Sequence, residues 1–218
     1  MIKVMILDDH RLLVDALRRM LNQEQDIEVI EVAYDRAQAL AIFEKTEIDI
    51  AVLDIRLGQD KLAGMELAEH IYEAYPETKS IILTMHSEGD YIDRMLKNDI
   101  SGFILKESAA QELVSAIRQV HAGGTYYSVD AMRIYTEYCR AQGKSKIRST
   151  ITKRETEVLQ LVVDGLNNRQ ISAILNIGEA GVETHRRHIR AKLEVGNTAE
   201  MVREAILQNL VNVNKYRE

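Results

Sequence analysis

Five short apolar runs, each followed by an amphipathic stretch, limit what the first half of this chain can fold into more than any other feature. Lys3–Leu7, Glu28–Ala33, Ile48–Leu53, Ser80–Thr84 and Gly102–Leu105 are rich in Val, Ile and Leu, and their apolar residues run on without polar alternation. That pattern predicts strands buried on both faces. The stretches Arg11–Leu21, Ala37–Glu44, Met65–Tyr75, Asp90–Leu96 and Gln111–Ala122 place apolar residues at helical spacing, as Leu113, Ala116, Ile117 and Val120 show in the last. Five strand-then-helix units predict an α/β fold, a doubly wound five-stranded parallel sheet with helices on both faces. In such sheets ligands gather at the carboxyl ends of the strands, where the strand order reverses.

The predicted strand ends are polar at four of five. Asp8-Asp9 follow the first strand, Asp54 the third and Lys106 the fifth, while Thr84 closes the fourth. Each has an ordinary reading: an Asp pair caps a turn, a Thr suits a strand, a Lys is a solvated charge. Together they put three carboxylates, a hydroxyl and an ammonium on one edge of the sheet. Clustered carboxylates repel and so call for a cation, and oxygen ligands point to Mg²⁺ before zinc or copper. Lys106 supplies a positive charge suited to a phosphoryl group.

In order and spacing, Asp8-Asp9, Asp54, Thr84 and Lys106 resemble the receiver domain of bacterial two-component response regulators, over roughly residues 1–122. The resemblance implies a flavodoxin-like fold with Asp54 as phosphoacceptor, a carboxylate nucleophile that takes a phosphoryl group from the phosphohistidine of a sensor histidine kinase. It implies Mg²⁺ held by Asp8, Asp9, Asp54 and the main-chain carbonyl of Arg56. Lys106 would pair with the phosphoryl group, the Thr84 hydroxyl would turn toward it, and Phe103 stands at the position of the family's switch aromatic. The chain departs from the family in places. Gly58 stands where Pro is common, which predicts a longer, more mobile loop over Arg56–Lys61. Met85 follows Thr84 where a small residue is usual, narrowing access for small phosphodonors or for the kinase. Glu107 replaces a common Pro. Arg56 and His86 lie at positions that modulate phosphoryl loss.

The second half carries a different pattern. Residues 144–218 hold 13 Lys+Arg against 9 Asp+Glu, a balance of +4, and residues 1–143 hold 15 against 25, a balance of -10. This split suggests an acidic regulatory or catalytic half and a basic half that meets a polyanion. Residues 123–150, with Gly123-Gly124-Thr125 at one end and Gln142-Gly143-Lys144-Ser145-Lys146 at the other, read as a linker with a short helix over Met132–Arg140. Thr152 and Glu155 fit a capping box opening a helix to Asp164, closed by Gly165. Asn168 can cap a helix to Leu175, a longer helix spans Glu179–Leu193, and Asn197 or Thr198 caps Ala199–Leu210.

Two helices joined by a short Gly-containing turn form a helix-turn-helix whose second helix enters the major groove. The block Leu159–Val195, above all Asn168-Arg169-Gln170-Ile171-Ser172 and Val182–Leu193, resembles the LuxR-type helix-turn-helix. Receiver plus LuxR-type domain resembles a NarL/FixJ-type response regulator. The resemblance places Glu183, Thr184 and Arg187 at base-reading positions: Arg pairs with guanine, Glu accepts from cytosine, and a Thr methyl touches thymine. Lys153, Arg154, His188, Arg190 and Lys192 are placed for phosphates. His185 reads as a packing residue. Gly178 and Gly181 replace Ser and Thr at the start of the recognition helix, weakening its cap, and Glu183 stands where a cation is common.

At 218 residues the chain suits one large or two modest domains, and no apolar run approaches the ~20 residues of a membrane helix. The lone Cys139 excludes an internal disulfide and suits a reducing cytosol. The expected organisation is a receiver domain over 1–122, a linker over 123–150 and a LuxR-type DNA-binding domain over 151–218. The expected function is a cytoplasmic transcription regulator, not an enzyme beyond its own Mg-dependent phosphoryl uptake and loss. Phosphorylation on Asp54 would control dimerisation, through Ala199–Leu210, and binding to double-stranded promoter DNA, with RNA polymerase as a further partner. A metal-dependent phosphatase would want a second acid-base two residues past the nucleophile, where Arg56 stands. A phosphorylation-independent regulator, acting through DNA or protein partners, is the alternative.

Overall fold

The computed structural model describes residues 1–60, 62–85, 89–98, 100–141 and 151–212. In chain order the first elements are β1 (Ile2–Leu7), α1 (Arg11–Leu21), β2 (Ile27–Ala33), α2 (Arg36–Phe43), β3 (Ile50–Leu53), α3 (Ala63–Ala74), β4 (Lys79–Thr84), α4 (Gly89–Lys97), β5 (Gly102–Leu105), a 3₁₀ turn (Lys106–Ser108) and α5 (Ala109–His121). The chain divides into two compact units, one formed by Met1–His86 with Ile100–His121, the other by Ser87–Asp99 with Ala122–Glu218. His86 and the 142–150 stretch read as linker lie outside the described residues.

In the first unit the strands are parallel and ordered β2-β1-β3-β4-β5. The chain therefore moves outward from β1 to β2, returns to β3 on the other side, and steps onward. Right-handed crossovers then put α1 and α5 on one face and α2 and α3 on the other, as the packing of α1 with α5 and of α2 with α3 bears out. The apolar runs of β3 and β5 are buried throughout, consistent with a sheet covered on both faces. The switch in strand order lies between β1 and β3. There Leu7 pairs with Leu53, so the next residues, Asp8 and Asp54, leave the sheet side by side. Thr84 pairs with Leu105, one residue before Lys106.

The second unit is helical: α4, a two-residue strand β6 (Tyr126–Tyr127), α6 (Val129–Ala141), α7 (Lys153–Val163), α8 (Asn168–Leu175), α9 (Glu179–Leu193) and α10 (Thr198–Leu207). The five expected strands thus gain a sixth, in a stretch read as linker. The expected short helix there is longer and buries Ala131, Met132 and Tyr135. α7 opens with the expected capping box, in which the Glu155 amide donates to the Thr152 hydroxyl and the Thr152 amide to the Glu155 carboxylate. α8 is capped by Asn167 and not by Asn168, because Asn167 holds the extended backbone and accepts from the Gln170 amide. Asn197, not Thr198, caps α10. α4 packs against α6 and α10, and buried Asp93 of α4 joins them: it accepts from the Tyr135 hydroxyl at 2.9 Å and from Arg203 Nε at 2.8 Å.

Candidate functional site

The first unit carries a cavity of about 370 Å³ lined by Asp9, His10, Asp54, Arg56, Gly58, Met85 and Lys106. It opens at the carboxyl ends of β1, β3 and β5, where the strand order reverses. Lys106 Nζ lies 2.6 Å from Asp54 Oδ2 and 2.6 Å from Asp8 Oδ2, and all three side chains are almost wholly buried. The structure thus brings together Asp8, Asp9, Asp54 and Lys106, as the strand ends required. Burial pushes the Asp54 carboxyl above its ordinary value, and the Lys106 ammonium beside it pulls the other way without fully offsetting it.

The donor set fits a divalent cation. Asp8, Asp9, His10 and Asp54 each offer a ligand atom, all within 4.8 Å of one another. Three carboxylates outnumber the two cations of the pocket, Lys106 and Arg56, and an unpaired excess of charge in a partly enclosed pocket is costly. Arg56 lines the same cavity.

Three further residues shape the site: His10 and Gly64 were not read from the sequence, and Gly58 was read only as a mark of a looser loop. His10 Nδ1 sits 3.0 Å from Asp8 Oδ1 and 2.8 Å from Asp9 Oδ1, and its amide also donates to Asp8. The Gly58 amide donates to Asp9 Oδ2 at 2.8 Å, with φ of +57°. Within the loop expected over Arg56–Lys61, of which Lys61 lies outside the described residues, the chain closes a turn. Leu57 and Asp60 exchange two backbone hydrogen bonds of 3.0 Å each. A Pro at 58 would lack the N–H that orients Asp9. Gly64, near the start of α3, is the third. A Cβ there would lie 1.8 Å from the Asp54 carbonyl oxygen, so only glycine lets α3 approach the acceptor strand this closely.

Thr84 and Phe103 are fully buried on β4 and β5. Met85 is 69% exposed and lines the cavity beside Thr84.

In the second unit, α8 ends at Asn176 in the left-handed conformation, and Ile177-Gly178 lead into α9, which gives a helix-turn-helix. Val182, Arg186, Ile189 and Leu193 face inward. Glu183, Arg187 and His188 are exposed, and Thr184 is half-buried, its hydroxyl donating to the Ala180 carbonyl. Several expected phosphate contacts are engaged within the unit. Arg154 binds Glu157 at 2.6 Å and the Leu175 carbonyl at 2.8 Å, Lys192 binds buried Glu155 at 2.7 Å, and Arg190 binds Glu183 at 2.9 Å. Lys153 and Arg187 stand exposed. Buried Arg186, unforeseen from sequence, donates to Asn168 Oδ1 at 3.1 Å and to the Thr198 hydroxyl at 2.7 Å, tying α9 to α8 and α10.

Residues 4–118 match the family described as response regulator receiver domain, and residues 149–205 match bacterial regulatory proteins of the luxR family. The transcriptional regulatory protein DegU of Brevibacillus brevis is 31% identical over 97% of this chain and 96% of its own. The oxygen regulatory protein NreC of Staphylococcus epidermidis is 31% identical over 96% and 99%. Among solved structures, the Salmonella typhimurium RcsB response regulator, described in terms of conformational dynamism for DNA interaction, aligns with a TM-score of 0.60. It is 25% identical, over 93% of this chain and 97% of that one. A polar site at the switch point of a parallel sheet, a helix-turn-helix, and matches to both parts lead to one assignment: the chain belongs to the two-component response regulators of the NarL/FixJ type, DNA-binding regulators of transcription that join a receiver domain to a LuxR-type helix-turn-helix.

Proposed function

We propose that this regulator is switched by phosphorylation of Asp54, with the phosphohistidine of a sensor histidine kinase as donor. The observation that carries the reading is Lys106 Nζ at 2.6 Å from both Asp54 and Asp8 inside the cavity. An Asp54 oxygen attacks phosphorus, a P–O bond forms, the P–N bond to the kinase imidazole breaks, and the imidazole regains a proton. Lys106 shifts from the Asp54 carboxylate to the incoming phosphoryl oxygens. Asp8, Asp9, Asp54 and the Arg56 carbonyl would hold Mg²⁺, which would supply positive charge to offset that developing on those oxygens. His10 and the Gly58 amide orient the Asp8 and Asp9 carboxylates.

The phosphoryl group is read through the Thr84 hydroxyl and Phe103. Downstream, α9 enters the major groove of promoter DNA, with Arg187 the leading base reader and Lys153 positioning on phosphate. The DNA interaction named for RcsB supports this part of the reading. Phosphorylation promotes a homodimer on promoter DNA in the cytoplasm, where it acts on RNA polymerase. Among the described residues no helix is long and apolar enough to cross a membrane.

The test compares wild type with Asp54→Asn by intact mass and gel shift, after a cognate kinase with ATP and Mg²⁺ and separately after acetyl phosphate. The expected result is a gain of about one phosphoryl group in wild type only, with tighter promoter binding. No adduct from the kinase, with unchanged DNA binding, sinks phosphorylation control and leaves a constitutive DNA binder.

A further inference from the structure

Glu183 sits on the recognition helix and is only half covered, yet both its oxygens are occupied. Oε1 accepts from Arg190 Nη2 at 2.9 Å, and Oε2 accepts from the Asn168 side-chain amide at 3.0 Å. Residues seven apart on a helix lie almost in line, two turns up the same face, so the pair closes along α9 itself. Asn168 is fixed in turn, its oxygen taken by Arg186, which also holds Thr198. The carboxylate is therefore aimed at Arg190 by a chain of hydrogen bonds rooted in a buried arginine. Burial pushes the Glu183 carboxyl up, but the hydrogen bonds from Asn168 and Arg190 outweigh it and hold the group below its ordinary value, so it is ionised at neutral pH.

Folding alone gives little reason for the arrangement. The Glu183 side chain is 52% exposed, and ion pairs so exposed contribute ~0–1 kcal/mol. On a helix that approaches a polyanion, the same pair has a larger consequence. A carboxylate beside phosphates repels them, and an arginine already neutralised releases no counterion.

Resting on the DNA-binding reading above, we propose that Glu183 is an affinity-setting residue that withholds Arg190 from the DNA backbone, so that the free chain makes one phosphate contact fewer than its cations allow. Sequence-independent affinity comes almost wholly from such contacts. Withholding one therefore leaves the unpaired chain a weak general binder and shifts the burden of binding to base contacts by Arg187 and to a second copy.

A double-mutant cycle on the full chain tests this, using fluorescence anisotropy with a labelled duplex of random sequence across a salt series. Glu183→Gln removes the charge but keeps an oxygen for Asn168. Its affinity is expected to rise about fivefold, with log K falling more steeply against log salt by about 0.9, the signature of one added phosphate contact. Arg190→Ala placed in the Glu183→Gln chain is expected to reverse both changes, and to cost wild type clearly less. Glu183→Ala, which also frees Asn168, is expected to match Glu183→Gln, separating the effect of charge from that of the tie to α8. Wild type that binds while Glu183→Gln shows neither rise nor steeper slope overturns the proposal alone. So does Arg190→Ala costing both backgrounds equally. Wild type that binds no duplex even at low salt overturns the DNA-binding reading and the proposal with it.

Discussion

Gly64 and Gly58 flank the acceptor loop and demonstrate how differently two glycines can constrain one site. A methyl group at Gly64 meets backbone, 1.8 Å from the Asp54 carbonyl oxygen and 2.8 Å from its carbon, which no rotamer change relieves. At Gly58 nothing lies within 4 Å, and the only objection to a side chain is φ of +57°. Gly64→Ala must therefore push α3 away from β3, which is expected to cost about 3 kcal/mol and to slow Asp54 phosphorylation at least tenfold. Gly58→Ala is expected to cost about 1 kcal/mol and to keep the reaction. Urea unfolding and kinase-dependent phosphorylation of the two variants check this, and equal effects would show that the close approach does not matter. The four charged groups of the site were legible because an apolar strand that ends in a carboxylate or an ammonium announces itself. Gly64 was not, since a glycine early in a helix reads only as lowered propensity, and its reason is a contact with a strand ten residues upstream. His10 was hidden for a related cause: one histidine after two aspartates has no spacing pattern, and only the turn after β1 folds its ring back onto both.

Among elements, α7 and α9 are joined by one buried carboxylate. Glu155 serves the capping box of α7 and also binds Lys192 in the last turn of α9. Burial pushes its carboxyl up, but the Lys192 ammonium and the Thr152 backbone and hydroxyl hold it down at about 2, against an ordinary 4.5. A carboxyl depressed on folding contributes stability in full above its unfolded value and loses it as pH falls through the folded one. Glu155 therefore stabilises this unit above about pH 4.5, and the contribution fades between 4.5 and about 2. Glu155→Gln is expected to be less stable by about 1–3 kcal/mol at neutral pH, with the gap from wild type closing across that window. Urea midpoints of both proteins at stepped pH measure the gap, and a gap that is constant down to pH 2 would rule the linkage out. The sequence announced this box because Thr152 and Glu155 stand three apart before an apolar run. It did not announce Lys192 as the partner, which was assigned to phosphate, since helical spacing reports one helix and not which side chains meet across two. The same limit put the α8 cap at Asn168. Asn167 and Asn168 are identical side chains one residue apart, and the choice between them rests on backbone angles.

At the scale of the whole molecule, the expected dimer surface deserves comparison with what α10 does in this conformation. Ala199, Met201, Val202, Ala205, Ile206 and Leu207 are all buried within the second unit, packed in part by α4 and α6. A helix whose apolar side chains are already covered has no face left for a second copy, so dimerisation through α10 requires that packing to open. What holds it is not apolar contact alone. Asp93 binds both Tyr135 and Arg203, and a buried charge left without its partner is costly enough to keep the three together. Asp93→Asn keeps a hydrogen bond for Tyr135 but removes the ion pair with Arg203. If it loosens α4 by about 1.4 kcal/mol, the open form becomes about tenfold more populated, and because both copies must open, the apparent dimerisation constant rises by the square of that, about a hundredfold, without any phosphoryl group. Sedimentation equilibrium of unphosphorylated wild type and Asp93→Asn reads that factor directly. A rise of about a hundredfold places the dimer surface on α10 and makes Asp93 the restraint. No rise, with the fold intact by circular dichroism, assigns dimerisation to another surface and reduces the Asp93 cluster to packing.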